Sequence, residues 1–163
     1  MAATLELRLT GGASNSDPDL SLGGVQSSAV VSSTAMNNLF DNVSPDEASA
    51  GDTEYRAVAV RNTGDAAATL VEIYMSTETS SPSSQIDLGS EGVDPGSPIS
   101  LADESDSTNQ LSGITFTHNT SASKLSLSDI PAGSECRIWL ERTISASAGN
   151  TSNDEGTITV DYA

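Results

Sequence analysis

The chain has 163 residues, a length that suits one domain with an extended arm. Hydrophobic residues make up 36% and aromatic residues 4%, so any core is small and built from Val, Ile, Leu and Ala. Twenty-three acids against six bases leave a net charge of −17, the wrong sign for gripping a nucleic-acid backbone or an anionic membrane surface, and the right one for a solvated surface or a basic protein partner. The single cysteine, Cys136, excludes an intrachain disulfide. The first residues lack a basic stretch followed by an apolar run, which predicts no secretory leader. No apolar stretch approaches the ~20 residues of a membrane span.

Residues 4–9 alternate, with Leu5, Leu7 and Leu9 on one side and Thr4, Glu6 and Arg8 on the other, the period of a half-buried strand. Turn formers follow from Gly11 to Asp19, and a short strand is expected over Gln26–Ser32. Residues 1–35 therefore read as an extended, loop-rich N-terminal arm with one strand, and residues 36–163 as the main domain. Met36, Leu39 and Phe40 form the first bulky cluster after the arm, expected as a helical turn that plugs the end of the domain. Ser44 ahead of Pro45 predicts a cap on another short turn.

Thr53–Asn62 is the strongest predicted strand, stopped by Asn62-Thr63-Gly64-Asp65, a hairpin-type turn signal. The next strand is expected at about 68–76, with Val71, Ile73 and Met75 on one face and Leu70, Glu72 and Tyr74 on the other. Residues 77–98 read as a long loop broken only by a short strand at Gln85–Leu88, and 99–110 as an acidic surface loop. Further strands are expected at 114–118, 135–144 and 156–162, with the turn Pro131-Ala132-Gly133-Ser134 leading into the second. No segment holds a helical period. Short strands separated by Gly, Pro, Asn and Ser predict an all-β fold, a β-sandwich of immunoglobulin-like or jelly-roll type.

Few residues point to chemistry. His118 is the sole histidine and lacks a neighbouring nucleophile and orienting acid in the pattern. Cys136 shares a face with Ile138 and Leu140, the setting of a small buried hydrophobe. Asp17 and Asp19, the group Asp103, Glu104 and Asp106, and the pair Asp154 and Glu155 could offer oxygen ligands to calcium, but no EF-hand spacing is present, and solvated loop acids are the simpler reading. No cofactor or metal site is predicted. Alternation places Trp139 and Arg137 on the face opposite Cys136, Ile138 and Leu140, and Tyr74 with Glu72. An aromatic among charges on an outer face suits a protein interface; otherwise a second layer such as the N-terminal arm covers it.

Several stretches occur together in one order: Leu9-Thr10-Gly11-Gly12-Ala13-Ser14-Asn15, Leu20-Ser21-Leu22-Gly23-Gly24, Asn38-Leu39-Phe40-Asp41, Gly51 to Arg56, Val60 to Thr63, Asp129 to Gly133, and Ile138 to Thr143. In this order they resemble a family of small virion structural proteins of tailed phages, across most of the chain. The resemblance implies a particle component, assembled in the host cytoplasm, with no catalytic residues. The leading expectation is a non-enzymatic capsid decoration (cement) protein. It would bind the major capsid protein or another virion protein as a homo-oligomer, plausibly a trimer, with no nucleic acid or membrane contact. Its interface candidates are Trp139, Arg137, Tyr74, Leu5, Leu7, Leu9, Leu39 and Phe40, and its arm is expected to reach across a neighbouring subunit. The alternatives are a tail, baseplate or fibre-associated sandwich, and a carbohydrate-binding or adhesin module.

Overall fold

Strand-forming residues dominate wherever the chain escapes its Gly, Pro and Ser punctuation, and a computed structural model describing residues 2–34 and 37–163 shows how they assemble. In chain order the elements are β1 (Leu5–Arg8), a single 3-10 turn (Pro18–Leu20), α1 (Pro45–Ala50), β2 (Asp52–Asn62), β3 (Glu72–Thr77), β4 (Ser84–Val93), β5 (Leu125–Ser126), β6 (Glu135–Ile144) and β7 (Thr157–Asp161). The strands make two antiparallel sheets, ordered β1-β2-β6-β4 and β5-β3-β7, so the fold is an all-β sandwich. Among the described residues no helix is long and apolar enough to cross a membrane.

The larger sheet is built on β2 and β6, which pair from Asp52↔Ile144 to Arg61↔Glu135. Period two sends Val58, Val60, Cys136, Ile138 and Leu140 to one face, where Ile73 and Met75 from β3, Ile86 and Leu88 from β4, and Ile130 complete the main core. Unlike the usual half-wet antiparallel sheet, the opposite face is buried too. Loops cover it, and Ala57, Leu101, Leu111 and Trp139 form a second buried cluster there.

The Asn62-Thr63-Gly64-Asp65 turn does not close a hairpin, because β2 and β3 belong to different sheets. Asn62 is fully buried and makes the corner: its Nδ2 donates to the carbonyls of Ala66 (2.8 Å) and Ile130 (2.9 Å), and its Oδ1 accepts from the Gly64 amide (3.0 Å). β4 is also longer than the expected short strand, running ten residues through Gly89 and Gly92 with a bulge between Ser90 and Gly92. The strand expected at 114–118 is reduced to a bridge between Thr117 and Leu88. Ser44 caps α1 as expected, and Glu47 completes a capping box.

The segment expected to be an extended arm is folded onto the body. β1 pairs with β2 from Leu5↔Asn62 to Arg8↔Ala59, and residues 27–31 lie along its other edge, with Val31 N–H donating to Leu7 (2.8 Å) and Leu9 N–H to Ala29 (2.9 Å). Two buried hydroxyls then pin the loop to β2: Thr10 Oγ1 (3.1 Å) and Ser21 Oγ (2.6 Å) both donate to the Ala57 carbonyl. The polar loop stays down because its own side chains satisfy buried backbone groups. Ala35, at the expected arm boundary, and Met36, in the expected plug, lie outside the described residues. Leu39 of that cluster is buried, but in bends rather than a helical turn.

Candidate functional site

Trp139 and Arg137 do face away from the main core, but neither is exposed; both have no accessible surface. The expectation that they form an outer interface is corrected here: the loops carrying Leu22, Ile99, Leu101, Leu111, Ile114 and Phe116 cover them within the monomer. The ring fits because its register partners are small, Ala57 on β2 and Gly89 on β4. Its Nε1 donates to Glu91 Oε2 (3.0 Å), while Glu91 Oε1 accepts the Ile99 amide (2.7 Å), so one carboxylate ties the indole to its lid. Arg137 donates to the Gly24 carbonyl (2.6 Å) and pairs with Glu135 (3.0 Å). Gly23 closes the layer with φ +87°; a Cβ there would fall 2.2 Å from the Ile99 carbonyl oxygen and 2.6 Å from the indole. Gly23→Ala should therefore cost about 2 kcal/mol or more through backbone strain and overpacking together, read as a lowered urea midpoint with an unchanged m-value.

Leu5, Leu7, Leu39 and Phe40 meet at a different place. They line one cleft of about 1280 Å³ that opens between the two sheets, where Ile158 and Val160 of β7 form the facing wall. Leu9 is buried in the main core. Tyr74 lies apart, on the outer face of the smaller sheet, with the Lys124 ammonium 4.7 Å from its ring centre. β7 ends its sheet, and its outer edge has no backbone hydrogen-bond partner among the described residues.

Arg142 lines the cleft and Arg56 stands beside it, an arginine pair not among the residues singled out from the sequence. The guanidiniums of Arg142 and Arg56 both lie over the Phe40 ring, 4.7 and 5.4 Å from its centre. Arg142 Nε donates to Glu54 Oε2 (2.5 Å), its Nη1 to the Asp41 carbonyl (2.8 Å), and Arg56 Nη2 pairs with Glu104 (2.6 Å). Arg56 Nε also reaches the Leu39 carbonyl (3.1 Å). The pair thus straps residues 39–41 to the sheet. Glu54 is 1% exposed, and burial pushes its carboxyl up to about 7 against the pull of the Arg142 charge. The signal was present: both arginines fall, by alternation, on the apolar faces of their strands, and a buried guanidinium demands acids and carbonyls.

His118 joins two acids at the surface, Nδ1 lying 3.2 Å from Asp87 and Nε2 3.4 Å from Glu78, and bridges the 117–120 segment to β4. Burial pushes the Cys136 thiol up, away from the reactive thiolate. Tyr55 is raised likewise, by burial and by the Glu141 carboxylate that accepts its hydroxyl (2.8 Å). Four of the loop acids considered for calcium accept backbone amides, and Glu104 pairs with Arg56. Asp17 accepts from the Asp19 amide, Asp103 from Ser105, Asp106 from Gln110 and Leu111, and Asp154 from Ser81. No family model, curated protein or solved structure matches this chain.

Proposed function

We propose that the chain is a non-enzymatic structural protein of a tailed-phage particle, a capsid decoration protein that docks on the major capsid protein of the head. One observation carries the docking part of this reading: the cleft between the sheets, walled by Leu5, Leu7, Phe40, Ile158 and Val160 beside the unpaired outer edge of β7. An apolar cleft beside a free strand edge is the acceptor for an added strand: backbone bonds give affinity and alternate side chains enter the cleft. The occupant is an extended segment of the shell protein. Asp41, Asp154 and Glu155 at the cleft, within a chain of net charge −17, ask for a segment bearing Lys or Arg. The order of sequence stretches described above supports the virion assignment. Homo-oligomerisation, as a trimer, belongs to the same reading: copies seated around one symmetry point of the shell would each present a cleft to a neighbouring shell subunit.

Electron microscopy of particles assembled with and without the protein tests the assignment. Loss of surface knobs from otherwise intact heads is expected. Normal heads with defective tails would move the protein to the tail. For the cleft, Ile158→Lys places a charge on the inward face of an edge strand. It should reduce particle binding at least tenfold while circular dichroism keeps the β-sheet signature; undiminished binding would refute the cleft as the docking site.

A further inference from the structure

We infer that Glu47, Asp52 and Glu54 form a calcium site where α1 meets β2. Asp52 and Glu54, two residues apart on β2, share one strand face. Gly51, at φ +80°, turns the chain so that α1 sets Glu47 against them. One carboxylate oxygen from each lies within 4.8 Å of the other two. That spacing suits a hard cation of calcium's size, because two oxygens on opposite sides of an ion bonded at ~2.4 Å stand ~4.8 Å apart.

The second observation is the state of each carboxylate. Glu47 accepts the Ser44 amide at Oε2 (2.6 Å) and Asp52 the Thr53 amide at Oδ1 (2.8 Å), and neither has a basic partner among the described residues. Glu54 gives Oε2 to Arg142, but its Oε1 is shut from solvent with no hydrogen-bond partner. A buried oxygen in that condition is costly unless something positive reaches it. Of the three carboxylates only Glu54 meets a guanidinium, one that also pairs with Asp41, and each of the three keeps one oxygen without a hydrogen-bond partner among the described residues. The neighbouring trio of Asp41, Glu54 and Glu104 differs, since Arg56 and Arg142 already stand among its acids. Glu47 and Asp52 are only half-buried, so water can complete the coordination shell.

Isothermal titration of the full chain with calcium chloride, at fixed ionic strength and after treatment with a chelator, tests the site. The expected result is one saturable site, a rise in Tm with calcium, and at least a tenfold loss of affinity in both Glu47→Gln and Asp52→Asn. Glu47→Gln keeps the capping box, so it removes charge without unwinding α1. Asp103→Asn, in the acidic loop, should leave the titration unchanged. Absence of a saturable site, or equal affinity in all three variants and the wild type, would overturn the assignment.

Discussion

Replacing Trp139 with alanine is expected to remove about 3–5 kcal/mol of folding stability, the cost of deleting a core aromatic. The size follows from the surroundings. The indole is fully buried, is flanked in register by Ala57 and Gly89, and is roofed by Gly23, Ile99 and Ile114. None of its small neighbours can swell into the hole. Glu91 would keep only its bond to the Ile99 amide, which loosens the lid as well. Trp139→Phe should lose less, since it preserves most of the packing and forfeits chiefly the bond to Glu91. Urea denaturation of the isolated protein checks both. A loss below ~1 kcal/mol for the alanine variant, the scale of a surface change, would contradict the buried environment described here.

The second large effect is expected at Arg142. Arg142→Met leaves Glu54 in a buried position without its counter-charge, and breaking one half of a buried pair costs about 3–5 kcal/mol. It also frees the Asp41 carbonyl and removes a cation from the Phe40 ring, so residues 39–41 lose part of their strap. Adding Glu54→Leu to Arg142→Met should restore stability relative to the single variant, because two matched apolar groups replace two desolvated charges. Denaturation in chelator, which keeps divalent cations out of the comparison, measures the coupling. A double variant whose loss equals the sum of the two single losses would show that the two groups do not act as a pair.

These two residues also show what the sequence made legible. Alternation located β2, β6 and β7 and put Trp139 opposite Cys136, Ile138 and Leu140, as the register shows. Alternation states which residues share a face, however, and not what lies above that face. The cover over Trp139 comes from Leu22, Ile99, Leu101 and Leu111, single apolar residues scattered through Ser- and Gly-rich loops with no period to detect. β4 runs beyond its expected length for a related reason: Gly89 and Gly92 are poor strand formers taken alone, and Gly89 is required because a Cβ there would fall 2.4 Å from the Ile114 side chain in the covering loop. The buried hydroxyls of Thr10 and Ser21 likewise look like ordinary loop residues until Ala57 is placed next to them. Alternation marks Leu5 and Leu7, bulk marks Leu39 and Phe40, and the fold gathers all four on one cleft.

The lone thiol has a practical consequence. Cys136 sits on the wall between the two sheets, sealed and held in its unreactive form. A reagent can reach it only when the layers part, so the rate of its capture is a clock for that parting. On the docking proposed above, a strand lodged in the cleft would slow the clock, and the chain would carry its own timer for how firmly such a partner holds the sandwich shut.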